Sequence, residues 1–98
     1  MIKNLRTYDL AMSFYNECKK VKLKGEIRSQ FERASLSIVL NISEGYGRFT
    51  KPDRRRFFYQ ALGSLREVQT ILTIIESQEL YNQADHLGAS LYLLCKRT

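Results

Sequence analysis

Cations crowd one short stretch of this chain. Between Ser37 and Arg56 it reads SIVLNISEGYGRFTKPDRRR, with Arg48, Lys51, Arg54, Arg55 and Arg56 close together. The chemistry open to these residues is anion recognition. A guanidinium offers paired donors that match a carboxylate or a phosphate, and the start of a helix adds backbone N–H groups. Pro52-Asp53 marks such a start. Three consecutive arginines then occupy the first turn, at the positive end of the macrodipole, where an exposed cation costs about 0.3–1 kcal/mol. Stability alone does not explain them, and an anionic partner, internal or external, does. Tyr46, Phe49 and Tyr59 lie among these cations, where aromatic rings can stack on unpaired bases.

Other chemistry lacks its residues. His86 is the only histidine, has no second ligand at metal spacing, and reads as a surface or cap-side residue. Cys18 and Cys95 form neither a metal motif nor a disulfide framework, and read as buried or half-buried thiols in a reducing compartment. Gly45-Tyr46-Gly47-Arg48 lacks the preceding strand and the third glycine of a dinucleotide loop, and GxxxxGK[ST] is absent. Ser35, Ser37 and Ser64 have no general base nearby in sequence. The expectation is a non-enzyme without metal or cofactor.

The 98 residues are 44% hydrophobic and 11% aromatic, with a net charge of +6. That makes one domain over 1–98 with a single core, and a basic balance that favours nucleic acid first and a membrane surface second. No stretch approaches the ~20 apolar residues of a membrane span. MIKNLRTYDL has no apolar h-region, so a cytoplasmic location is expected.

Four helices must position these residues. Leu5, Tyr8, Met12 and Tyr15, widened by Ala11, Phe14 and Cys18, predict a helix over about 5–22, with lysines at its C-terminal end and Gly25 stopping it. Ile27, Phe31, Ala34, Ile38 and Ile42, flanked by Leu36, Val39 and Leu40, predict a second over 26–45. Gly45 and Gly47 end it, each free to take positive φ. Phe57, Phe58, Ala61, Leu62, Leu65, Val68, Leu72 and Ile75 predict a third over 52–78, with Thr50 or Lys51 as N-cap. Asn82 and Asp85 open a short fourth over 82–97, carrying Ala84, Leu87, Leu91 and Leu94. The fold class is all-α, and short loops favour an antiparallel up-down-up-down four-helix bundle. Tyr92, Leu93, Ile71 and Ile74 are surplus apolar surface, so a homo-oligomer is expected.

In that topology the 2–3 loop and both chain termini share one end. Lys3, Arg6, Arg48, Lys51, Arg54, Arg55, Arg56, Lys96 and Arg97 gather there against Asp9, Glu44 and Asp53, which accounts for the whole net charge of +6. The hairpin also places Arg33 opposite Glu67, and Glu44 near Arg54 or Arg55. Ala34, Ser35 and Ser37 face Ala61, Gly63 and Ser64, small residues that permit close approach. A mid-helix Gly63 otherwise costs ~1 kcal/mol.

Arg33-Ala34-Ser35, Ser37-Ile38, Asn41-Ile42-Ser43-Glu44-Gly45 and Gly47-Arg48, followed by Phe57, Ala61-Leu62-Gly63-Ser64 and Glu67, closely resemble the bacterial four-helix bundle proteins of the 23S rRNA intervening-sequence family. The accessory variability determinant protein of diversity-generating retroelements is similar to the same family. Leu5, Tyr8 and Ala11 also fit its first-helix pattern. The resemblance covers roughly residues 3–78, and the last helix departs from it. It implies an antiparallel bundle assembling into a barrel-like homopentamer with a basic surface, five copies concentrating about +30 of charge. It also implies nucleic acid and a reverse transcriptase as partners of the retroelement member. By position, Arg48, Lys51, Arg54, Arg55, Arg56, Lys96 and Arg97 would bind nucleic acid. Arg33, Asn41, Glu44, Gly45, Gly47, Gly63, Ser64 and Glu67 match motif positions with a structural role.

Two functions compete. One is an oligomeric basic protein binding RNA or DNA largely through phosphates, accessory to a reverse transcriptase or associated with rRNA. The other is a protein-interaction scaffold that docks an acidic protein without touching nucleic acid.

Overall fold

A computed structural model describes residues 5–98 of the chain. Lys3, placed at the basic end by the sequence, lies outside the described residues. These form four helices and no strand: α1 (Arg6–Cys18), α2 (Gly25–Tyr46), α3 (Lys51–Ile74) and α4 (Gln78–Arg97). α2 packs on α3, α3 on α4, α4 on α1, and α1 on α2. Phe14, Ile38, Ile42, Phe58, Leu65, Leu72, Leu87 and Leu91 form the largest fully buried part of one apolar cluster.

The expected helix boundaries shift at three places. α1 stops at Cys18, four residues early. Val21 and Leu23 are half-buried against the core, while Lys22 and Lys24 are exposed. This alternation has the period of extended chain, and one more helical turn would have scattered it. Gly25 does not stop α1. It opens α2 at a φ of 64°, in the left-handed region that favours glycine.

α3 ends at Ile74 rather than near 78. Glu76 takes a φ of 59°, and its N–H donates to the Thr73 carbonyl at 3.1 Å while that of Ser77 donates to the Leu72 carbonyl at 2.9 Å. This is a Schellman closure with a glutamate where glycine is usual. α4 begins at Gln78, with Ser77 rather than Asn82 at its cap, so it is a full 20-residue helix and not a short one.

Gly47 caps the end of α2 as expected, but the two glycines differ from expectation in conformation, and Gly45 in role. Neither has positive φ. Gly45 is a buried helical residue, and a Cβ there would lie 2.5 Å from a Phe58 ring carbon. It is a notch for a ring, not a helix stop. Conversely, Gly63 is exposed, and a Cβ there would meet nothing within 4 Å. Close approach within this chain is not its reason. The hydroxyls of Ser37 and Ser64 do meet, at 2.8 Å, and Asn41 Nδ2 donates to the Ser37 carbonyl and hydroxyl at 2.9 and 3.0 Å. Arg33 donates to Glu67 at 2.5 Å, as expected from the hairpin.

Ile71 is buried and contributes nothing to surplus surface. Ile74, Tyr92 and Leu93 are exposed, and so are Leu36 and Leu40, which flank the apolar stripe of α2.

Candidate nucleic-acid interface

The basic end is assembled by contacts among all four helices. Thr7, in the first turn of α1, shares a hydrogen bond of 2.7 Å with Ser90 of α4. The Tyr46 hydroxyl, at the end of α2, also bonds Thr7. Burial pushes the Tyr46 phenol up from its usual range, the Thr7 bond pulls it back, and Asp9 adds to the rise. These bonds bring the start of α1, the end of α2 and the last turns of α4 together, and α3 starts beside them. Eight described cations occupy these segments, Arg6, Arg48, Lys51, Arg54, Arg55, Arg56, Lys96 and Arg97, against Asp9, Glu44 and Asp53, leaving 8 − 3 = +5.

Much of this charge is committed internally. Arg48 pairs with Glu44 at 2.9 Å and approaches Asp53 at 3.7 Å. Glu44 therefore finds its partner one turn ahead on its own helix end, not at Arg54 or Arg55. A carboxylate at a helix C-terminus opposes the dipole, and the nearest flexible cation compensates it. Arg56 pairs with Asp53 at 2.9 Å. The Arg48 and Arg56 guanidiniums both lie over the Phe57 ring, 4.6 and 4.3 Å from its centroid. Glu44, Arg48, Asp53 and Arg56 thus form a neutral cluster around an aromatic ring.

Arg54 has a different task. Its Nε donates to the Arg48 carbonyl at 2.7 Å, bracing the 2–3 loop. Thr50 Oγ1 accepts from the Asp53 N–H at 3.3 Å, so Thr50 is the N-cap of α3. Pro52 contributes no N–H. The first turn of α3 is therefore largely closed to an outside anion by its own cap, contrary to the simple picture of exposed N–H groups. The arginines at the disfavoured helix end are explained in part by Asp53, Glu44 and the Arg48 carbonyl.

Three other cations face outward. Among the described residues, the side chains of Lys51, Arg55 and Arg97 make no hydrogen bond or ion pair, and all three are exposed. Lys96 lies over the Tyr92 ring at 5.5 Å. Arg6 and Arg97 line a groove of about 440 Å³ between α1 and α4, with Tyr46, His86 and Ser90. His86, a surface or cap-side residue by its sequence context, is exposed.

The three aromatics separate equally clearly. Tyr46 packs edge-on to Phe58, with centroids 5.4 Å apart and planes at 69°, and belongs to the fold. Tyr59 is half exposed on α3. Phe49, at the tip of the loop, is 97% exposed. Its distinctness was not legible in sequence, where all three rings sit among cations alike.

Elsewhere the polar inventory is sparse. Burial and then the neighbouring Glu17 charge push the Cys18 thiol up to about 12, and burial raises Cys95 as well. Both thiols are buried and without a disulfide. Among the described residues no group of three or more His, Cys, Asp or Glu is placed to hold a metal ion. No described helix is long and apolar enough to cross a membrane.

No curated protein matches the chain closely enough to serve as a relative. A family model, however, matches residues 3–97, extending through α4 where the motif resemblance had stopped at about residue 78. The polar seam of Arg33, Ser37, Asn41, Ser64 and Glu67, the Gly45 notch and the braced Arg48 loop are thus features of a chain that belongs to the 23S rRNA-intervening sequence protein family.

Proposed function

We propose that this protein is a non-enzymatic, cytoplasmic nucleic-acid-binding protein that grips RNA or DNA largely through phosphates. In this reading the four helices form an up-down-up-down bundle, and copies of the chain assemble into a homo-oligomer, a pentamer being favoured. The observation that carries the reading is the concentration of +5 among the described residues at one end, with Lys51, Arg55 and Arg97 pointing to no internal acid. The exposed Leu36, Leu40, Ile74, Tyr92 and Leu93 support assembly. Repetition of the basic end around an oligomer would multiply its charge and make binding steeply salt-dependent. A role accessory to a reverse transcriptase, or one associated with rRNA, would use the same surface.

Fluorescence anisotropy with labelled RNA and DNA over a salt series tests this. Binding should weaken steeply with salt, and the Lys51→Gln, Arg55→Gln, Arg97→Gln triple variant should flatten the slope by about 0.7–0.9 for each phosphate contact removed. Negligible affinity for both polymers at low salt refutes the reading and leaves an acidic protein as the partner to seek. Light scattering reports the oligomeric state, and a monomer would contradict the assembly.

A further inference from the structure

We infer that Phe49 is a base-stacking platform and that the basic end is built for single-stranded rather than duplex nucleic acid. The inference rests on the nucleic-acid reading above and adds which form of the polymer is bound.

Phe49 is almost wholly in solvent, at 97% exposure, and packs on nothing in its own fold. Its backbone is nevertheless held from both sides. Arg48 N–H donates to the Gly45 carbonyl at 3.2 Å, the Arg48 carbonyl accepts from Arg54, and Thr50 caps α3. The ring therefore projects from an ordered support. Apolar area left in water forgoes burial worth ~25 cal/mol per Å², so this position contributes nothing to folding that a polar residue would not. An external surface is the natural place for that area to be buried.

The neighbours specify the surface. Lys51 and Arg55 stand four apart on α3, hence on one face, and Tyr59 continues that face. Lys51 and Arg55 are uncommitted, and Tyr59 is half exposed. From Lys51 to Tyr59 the rise is about 12 Å at 1.5 Å per residue. Along the chain, Phe49, Lys51, Arg55 and Tyr59 read ring, cation, cation, ring. Stacking on rings beside a cationic track is how proteins hold unpaired strands, because every base has a π-face and every linkage a phosphate. A duplex hides its base faces in the stack. It would offer only phosphates to Lys51 and Arg55 and leave Phe49 without a partner.

The test compares a fluorescein-labelled single strand of about 12 nucleotides with the duplex of the same sequence. The parent should bind the single strand more tightly. Phe49→Ala should weaken single-strand binding about 5- to 150-fold, the ~1–3 kcal/mol of a base–aromatic stack at tenfold per 1.4 kcal/mol. Duplex affinity should be unchanged, and Phe49→Tyr should retain single-strand binding. An unaltered thermal melt for Phe49→Ala confirms that the fold is intact, as the exposure of the ring requires. Equal affinity for both forms, or an indifferent Phe49→Ala, overturns the inference while leaving phosphate binding in place. Failure of both the single strand and the duplex to bind overturns the broader reading with it. Ribo- and deoxyribo-strands run in parallel report the sugar preference.

Discussion

Gly45 and Gly63 are both helical glycines, and they should respond to alanine with opposite signs. At Gly45 a new Cβ would sit 2.5, 2.7 and 3.0 Å from three carbons of the Phe58 ring. Phe58 is 1% exposed and held edge-on by Tyr46, so the ring has little room to yield. Overpacking of this kind costs about 1–3 kcal/mol. Replacing a helical glycine returns at most ~1 kcal/mol of backbone propensity, less for Gly45, one residue from the end of α2, and three close contacts put the clash in the upper part of its range. The net for Gly45→Ala is a loss of about 1–2 kcal/mol, or a melting temperature lower by roughly 5–15 °C for a domain this size. At Gly63 there is no clash to offset the gain, so Gly63→Ala should raise the melting temperature by roughly 4–8 °C. Melts followed by far-UV circular dichroism, at equal chain concentration, measure both. Gly45→Ala melting at or above the parent would refute the notch argument. Loss of assembly in Gly63→Ala, seen by light scattering, would show instead that its open face receives a neighbouring chain.

Other substitutions check other parts of the fold. The Cys18 thiol lies at about 12 when folded against 9.0 ordinarily, so the proton favours the folded state. Its contribution is intact below pH 9 and is lost as pH climbs towards 12, at up to about 1.4 kcal/mol per pH unit. Urea titrations at rising pH should show a steeper decline for the parent than for Cys18→Ala, and parallel declines would contradict the assigned burial. Glu76→Gly should gain about 0.5–1 kcal/mol, relieving a left-handed residue at the cost of a looser unfolded chain; a loss in chemical denaturation would mean that the glutamate side chain has another role. Thr50→Ala should lose about 1 kcal/mol by the same assay, as a missing N-cap does, and a neutral result would remove the cap from the account of the loop.

Legibility in the sequence followed what is local and what is not. Apolar spacing alone placed four helices, because a stripe at three- and four-residue intervals records its buried face directly. Thr50, Pro52 and Asp53 announced the start of α3. The end of α3 was hidden because its left-handed residue is Glu76, with no glycine to mark it. The end of α1 was written in the alternation of Val21 and Leu23 with lysines, but five residues are too few to outweigh a helical stripe. Arg33 with Glu67 followed from counting back across a hairpin. Glu44 did not, since its choice between Arg48 and the Arg54–Arg55 pair depends on loop geometry that residue counting cannot resolve. At the basic end the sequence reports only a sum of charge. It had no means of separating Arg48, Arg54 and Arg56, which hold the loop, from Lys51, Arg55 and Arg97, which do not.

The polar seam between α2 and α3 has a consequence for alignment. Two helices meeting through aliphatic side chains alone can slide by one turn, about 5.4 Å, and exchange one branched side chain for another of like size. Here such a slip would part Ser37 from Ser64 and leave a nearly buried hydroxyl without its partner, at about 1–3 kcal/mol. The same movement would carry the Gly45 notch away from Phe58 and drive the ring against helix backbone that has a Cβ. Seam and notch therefore act as a vernier that admits one setting. Since the 2–3 loop is strung between these two helices, where its tip stands is decided twelve to fifteen residues away, at serines that never approach it.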